Sequence, residues 1–203
     1  MEASSPVTPA PGELEFVRAF VNTLDIEKGT DRLDDSASSR AWARDHDLDV
    51  RFSEADLEFA RRLREALRAG MLANHDRAPI PADTSGALQD AAARARVTPR
   101  FTETGITLVS SADGADALFG RIVAAVAASL TDGTWSRLKA CAADDCRWGF
   151  YDSSRSRTGQ WCSMSICGNR AKQARWRQAA VSRDCPPGPV VPAPAPLRRL
   201  SGS

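Results

Sequence analysis

The sequence has no uninterrupted apolar run that could span a bilayer. Its longest, Ala117 to Leu130, is broken by Arg121 and falls short of the roughly 20 residues a spanning helix needs. The opening "MEASSPVTPAPGE" has neither a basic stretch nor an apolar one, so it does not read as a secretory leader, and cytoplasmic residence without membrane attachment is expected. Histidine is scarce: His46 and His75 stand alone, without the spacing of metal ligands or of a catalytic pair, and structural or surface roles are expected for both. No glycine-rich phosphate loop, nucleophile elbow or paired-carboxylate signature occurs. The chain is therefore not expected to be an enzyme. There is no internal repeat.

What is present is an ordinary soluble composition, 42% hydrophobic and 26% charged, in a length that suits one sizeable domain or two small ones. The formal net charge of +1 conceals a division. Residues 136–183 hold ten Arg or Lys and three Asp, a local charge of +7, whereas the rest of the chain holds 17 basic and 23 acidic residues. Such a split places one segment against a polyanion and leaves the body outside that role.

Residues 1–11 are rich in Pro, Ser and Ala and read as disordered. A helical domain with one hairpin is expected over 12–133. Leu14, Val17, Phe20, Val21 and Leu24 share one helical face. A loop with an N-cap follows, then a short helix around Trp42. Ser53 and Asp56 have the spacing of a capping box, opening an amphipathic helix striped by Leu57, Ala60, Leu63, Leu67 and Met71. "NHDRAPIPADTS" breaks the pattern before a weaker helix near Leu88–Arg96. Alternation through Val97, Pro99 and Phe101, a turn, then Ile106 and Leu108 predicts a β-hairpin near 97–110. Asp113 is expected to cap a helix whose Leu118, Phe119, Ile122, Val123, Val126 and Leu130 form the strongest apolar face. Residues 184–203 read as a Pro-rich disordered tail.

Four of the five cysteines follow C-x4-C-x15-C-x4-C: Cys141, Cys146, Cys162 and Cys167. Disulfides, a redox pair or a metal site fit such a pattern. In a reducing cytosol clustered cysteines are more often metal ligands than disulfides, which favours one zinc ion in a closed, structural site. Cys185, in the tail, reads as a bystander. Between the pairs, "RWGFYDSSRSRTGQW" reads as a hairpin turning at Ser-Arg-Ser-Arg, with Cys146 and Cys162 near its two ends. "RAKQARWRQAA" then reads as a helix with Cys167 at its N-terminus, where the helix dipole favours a thiolate. Knuckle, hairpin and helix make a treble-clef-like order over 136–183. The fold class is therefore mainly α with a small β-hairpin: a helical N-terminal domain plus a small four-cysteine zinc module. Because such a module draws its folding energy from its metal, chelation is expected to melt 137–180 and spare the helices.

"CAADDCRWGFYDSSRSRTGQWCSMSICGNRAKQARWR" resembles the CGNR zinc-finger family, whose tetrapeptide stands at Cys167-Gly168-Asn169-Arg170. "FVNTLD" (Phe20 to Asp25) and "GTDRL" (Gly29 to Leu33) are similar to the ABATE domain that usually precedes that finger. The resemblance covers about residues 14–180 and implies a stress-response transcription regulator with a DNA-binding finger.

The basic residues fit that expectation. Arg147, Arg155, Arg157, Arg170, Lys172, Arg175 and Arg177 are candidates for phosphate contacts on double-stranded DNA. Arg170, Gln173 and Arg177 share a helical face that could read bases in a major groove. Arg155 and Arg157, on a tip read as flexible, suit a backbone clamp. Trp148, Phe150, Tyr151, Trp161 and Trp176 are expected to form the finger's own core rather than stack on bases. Asn22, Thr23 and Asp25 could face a small-molecule effector pocket, with capping and loop hydrogen bonds as the plainer role. An adaptor whose basic finger docks an acidic protein is the alternative to a DNA-binding regulator, and an enzyme built on Asp25 is a weaker third.

Overall fold

A computed structural model describes residues 8–103 and 105–183, with side chains as far as Arg177. The expected disorder of 1–7, the tail 184–203 and Cys185 lie outside the described residues. Residues 8–11, expected to be disordered, are held: Ala10 is buried, and its N–H donates to Glu15 Oε2 at 2.7 Å. One backbone hydrogen bond and one small apolar side chain outweigh what composition implied.

Helix α1 (Leu14–Val21) buries Leu14, Phe16, Val17, Phe20 and Val21. A short ladder of β1 (Leu24–Asp25) and β2 (Thr30–Asp31) follows, in the segment read as a loop. Helix α2 (Ser36–Arg44) is capped by Asp35, whose carboxylate accepts from Ala37 N and Ser38 N. Helix α3 (Glu54–Ala73) opens with the expected capping box of Ser53 and Asp56, a device worth about 1 kcal/mol. Helix α4 (Ala82–Arg94) begins six residues before the sequence pattern indicated. The reason is Thr84. It is fully buried, and its hydroxyl donates to Ala66 O of α3 at 2.7 Å, so a polar stretch that reads as loop is helix.

Strands β3 (Thr98–Thr102) and β4 (Gly105–Val109) form the expected hairpin, with Phe101 opposite Ile106. Those two side chains are 76% and 63% exposed, because the ladder outruns the core that holds Leu108. Helix α5 (Gly114–Asp132) is 19 residues long and apolar enough to cross a membrane by length and composition. It is the core helix, burying Leu118, Phe119, Ile122, Val123 and Val126. Asp113 sits at its N-cap without a side-chain capping bond, and Leu130, expected on the apolar face, is 45% exposed. Helices α1, α3, α4 and α5 pack on one another around this core.

After a 3-10 turn (Trp135–Arg137), β5 (Leu138–Ala140) pairs antiparallel with β6 (Gly149–Tyr151). A π-helical turn (Met164–Gly168) leads into α6 (Asn169–Arg183). Compactness does not divide the chain near 133–136. It divides after Asn169: the first unit runs to that residue and includes the β5–β6 hairpin, and the second begins at Arg170.

The joint between helices and hairpin is dense. Leu138 and Ala140 belong to the main core. Asn74 donates to Trp135 O and Leu138 O, both at 2.8 Å, and His75 Nε2 bonds Ala140 O at 2.7 Å. Arg68, 4% exposed, donates to Arg147 O at 2.6 Å and Val21 O at 2.9 Å. Side chains of α3 and of the turn after it thus act as the missing neighbour for a two-stranded ladder that is marginal alone.

Candidate metal centre

The β5–β6 hairpin brackets the first cysteine pair. Cys141 leaves β5, and its N–H donates to Trp148 O at 2.8 Å. Between them the chain turns tightly: the N–H groups of Cys146 and Arg147 both donate to Ala143 O at 3.0 Å. Arg147 takes a left-handed φ of 52°, which a non-glycine residue adopts only when its surroundings fix it. What fixes it is its own guanidinium, which donates to Cys141 O and Ala142 O at 3.4 and 3.3 Å and pairs with Asp144.

This hairpin is not the one read from the sequence. Strand β6 pairs backward with β5, across the first cysteine pair, rather than forward with the residues before Cys162. The second pair is brought in by one backbone bond, Ala142 N to Gln160 O at 2.8 Å, and by the π-helical turn, where Gly168 N donates to Ser163 O at 3.0 Å. A Cβ on Gly168 would lie 2.9 Å from Met164 Sδ and 3.3 Å from Trp161 Cδ1, so glycine lets this turn close against both. Asn169 donates to Ser165 O at 3.1 Å and serves the turn.

The four sulfurs of Cys141, Cys146, Cys162 and Cys167 all lie within 4.8 Å of one another. Two of the separations are 3.6 Å (Cys146 to Cys162) and 3.7 Å (Cys162 to Cys167). A tetrahedron with Zn–S bonds of about 2.3 Å has S···S edges of about 3.8 Å, whereas a disulfide needs about 2 Å. None of these four cysteines is joined in a disulfide. Trp148 and Trp161 pack against them, Cys141, Cys146 and Cys167 are buried, and Cys162 is half-buried.

The thiols cannot all ionise unaided. Hydrogen bonding with Cys146 and Cys162 holds Cys141 down to about 2. The same pairing pushes Cys146 up to about 12 and Cys162 far above the thiol range. One thiolate is easily formed, and each further one meets the charge of the first. A divalent cation at the centre offsets that repulsion, and a soft one with a tetrahedral preference fits the donor set. The cluster is suited to hold one zinc ion. Four thiolates would close the coordination sphere, so zinc held here would brace the fold and leave no open position for chemistry.

The Ser-Arg-Ser-Arg loop, read as flexible, is tied down. Lys139 and Asp152, with side chains 1% and 3% exposed, pair at 2.9 Å. Lys139 Nζ also donates to Arg157 O at 2.8 Å and Gly159 O at 3.2 Å. Asp152 accepts from Ser154 N, Ser154 Oγ and Gly159 N at 3.1, 2.6 and 2.8 Å. Burial pushes the Asp152 carboxyl up, but hydrogen bonds from Ser154 and Lys139 outweigh it and bring it to about 2. Arg137 donates to Asp152 O and Ser154 O. Asp152 enters the sequence reading only within the stretch that resembles the finger, and Lys139 not at all.

The other candidates separate. Arg155 and Arg157 are exposed on this loop, and their side chains have no partner among the described residues. Arg147 is committed to the cysteine turn. In the second unit, Lys172, Gln173, Arg175 and Arg177 are exposed along α6. Trp176, expected in the finger's core, is 76% exposed, while Phe150 is buried and Tyr151 packs on the main core. Asn22, Thr23 and Asp25 bind the chain itself. Asn22 engages Gly149, Thr23 Oγ1 donates to Phe20 O at 2.8 Å, and Asp25 pairs with Lys28 at 2.8 Å. His46 bonds Trp42 O at 2.8 Å, a structural role.

A half-helical unit with small antiparallel sheets and a four-cysteine site suited to zinc defines the class: a helical domain carrying a zinc module. The CGNR zinc-finger family model matches residues 137–180, and the ABATE model, described as "Putative stress-induced transcription regulator", matches residues 15–133. The second match covers more than half of the chain, and the chain belongs to the ABATE family, with a CGNR zinc finger after it. No curated protein matches the chain.

Proposed function

We propose that this protein is a cytoplasmic, zinc-containing transcription regulator that holds double-stranded DNA through the basic residues of its C-terminal segment. The observation that carries the reading is a concentration of uncompensated positive charge. Arg155 and Arg157 on a braced loop, and Lys172, Arg175 and Arg177 on α6, have no side-chain partner among the described residues. Helix α6 contains no acidic residue. Guanidinium and ammonium groups left without carboxylates are what a phosphate backbone engages. On α6, Arg170, Gln173 and Arg177 recur at helical spacing and supply the base-reading face, with Arg170 as the reader. Arg147, spent on the cysteine turn, leaves the set. The reading includes no catalysis. The alternative, an adaptor docking an acidic protein, draws on the same charge, and the exposed Trp176 is what favours it, since an aromatic amid arginines suits a protein interface.

Affinity measured against salt separates the two. Alanine at Arg155, Arg157, Arg175 or Arg177 is expected to weaken binding to every duplex and flatten the salt slope by about 0.9 per lost contact. Alanine at Arg170 is expected to relax preference at one position at a cost of about 1–3 kcal/mol there. Wild-type affinity in all these variants would leave DNA binding without its residues and make the adaptor the better account.

A further inference from the structure

Ten of the 18 arginines of the first compact unit sit in ion pairs within the chain, Arg18, Arg32, Arg61, Arg64, Arg68 and Arg94 among them. Three that are not so engaged line one cleft. Arg77, from the turn after α3, faces the same space of about 530 Å³ as Arg155 and Arg157. No carboxylate lines that cleft, and none of the three guanidiniums has a hydrogen-bond or ion-pair partner among the described residues. Gathering like charges from distant segments raises the free energy of the folded chain, and an anion seated among them reverses that sign.

The cleft is also built to a shape. Arg155 and Arg157 ride on the loop fixed by Lys139 and Asp152. Arg77 is held at a left-handed φ of 54° in a turn closed by Ala78 N donating to Ala73 O at 3.2 Å. The remaining wall sets the polar Asn74, Ser136 and Ser156 beside an apolar group that includes Ile80, the half-exposed Leu130 and Trp135. Trp135 is 3% exposed, and its indole N–H finds no acceptor among the described residues. Three cationic side chains beside an apolar patch, at a volume within the range of small-molecule sites, match a ligand with two ends.

We propose that this cleft binds a small organic oxyanion, a phosphate or carboxylate carried on an apolar body. The guanidiniums take the anionic group in charge-assisted hydrogen bonds, and Ile80, Leu130 and Trp135 cover the rest. The site lies away from Asn22, Thr23 and Asp25, where the sequence pointed. It shares Arg155 and Arg157 with the proposed DNA contacts. Resting on that reading, ligand and duplex exclude one another, and the cleft is the effector site.

The test is calorimetric titration of the zinc-loaded full chain with naphthyl phosphate, against inorganic phosphate and naphthol as one-ended probes. Naphthyl phosphate is expected to bind once per chain and about tenfold more tightly than either probe. Arg77→Ala and Arg157→Ala should each weaken it about tenfold or more, while Ile106→Ser on the remote β3–β4 hairpin leaves it unchanged. Ile80→Ser should weaken naphthyl phosphate but not inorganic phosphate. Wild-type affinity in Arg77→Ala, or binding no tighter than that of naphthol, overturns the site. The DNA arm is separate: displacement of a bound duplex by naphthyl phosphate supports the effector role, and a duplex that stays bound at saturation overturns that role. A chain that binds naphthyl phosphate and no duplex overturns the DNA reading and leaves the anion site standing.

Discussion

The carboxamide of Asn22 pairs with both backbone groups of Gly149: its Nδ2 donates to Gly149 O at 3.0 Å, and Gly149 N donates to its Oδ1 at 2.6 Å. A side chain from the end of α1 thereby imitates a third strand beside β6. Gly149 is buried, and a Cβ there would lie 2.8 Å from Met71 Cε and 3.0 Å from Asn22 Oδ1, so a side chain would have to displace them. Asn22→Ala leaves the buried Gly149 N–H unmatched and Gly149 O with only the 3.4 Å bond from Arg18 Nη1, and should cost about 1–3 kcal/mol, read as a lowered unfolding midpoint in urea at unchanged m-value. Asn22→Asp should be worse than Asn22→Gln if both bonds matter, because a carboxylate cannot donate to Gly149 O. Equal stability of wild type and Asn22→Ala would show the pairing to be incidental.

Zinc removal should be felt beyond the finger. The sequence led to the expectation that chelation spares the helices, yet Leu138 and Ala140 lie in the helical core, and Arg68, Asn74 and His75 of the helical part reach the hairpin's backbone. Losing the metal should therefore lower the melting midpoint of the helical signal, followed by far-UV circular dichroism. Metal analysis should find one zinc per chain, reduced by Cys→Ser at 141, 146, 162 or 167 and kept on changing Cys185. An unaltered helical melt in the metal-free protein would restore the picture of two independent modules.

Lys139→Met should be among the most damaging single changes outside the cysteines. It strands the Asp152 carboxylate in a buried position, a loss of about 3–5 kcal/mol for a broken buried pair. It also removes the donor to Arg157 O and Gly159 O, so amide exchange across 153–159 should quicken. Protection of that loop equal to wild type would contradict the bracing role.

Acid should act on the same pair. Asp152 has a folded-state value of about 2, below the roughly 3.9 of an unfolded aspartate. A depressed carboxylate contributes stability that is complete above the unfolded value and fades as pH falls from near 4 through about 2. Unfolding free energies across that window should fall less steeply in Asp152→Asn than in wild type. Parallel curves would assign the acid sensitivity to other carboxylates.

Local chemistry was legible in the sequence, and distant pairing was not. The capping box of Ser53 and Asp56, the hairpin at 98–109 and the four-cysteine spacing each rest on residues a few positions apart, where type and interval carry the signal. Asn22 reads as a helix end because Gly149 lies 127 residues away. Lys139 carries no signal because nothing nearby announces Asp152 as a buried partner. The direction in which β6 pairs is undetermined by alternation alone, since β5 and the segment before Cys162 offer it similar neighbours. Arg77, in a stretch that reads as a plain loop, gave no sign of sharing a cleft with Arg155 and Arg157.

The 127 positions between Asn22 and Gly149 also have a meaning in time. Ribosomes add about 5–20 residues per second, so the α1 segment is made roughly 6 to 25 s before the strand it holds. Until then Asn22, Arg68 and Asn74 present donors to water along a shelf that has nothing to hold, beside Met71. The cysteines emerge after the helices that support their hairpin, and the hairpin docks onto a surface already shaped for it. A nascent chain stalled before Gly149 should therefore be the species that a chaperone recognises, and one stalled well past Cys167 should escape it.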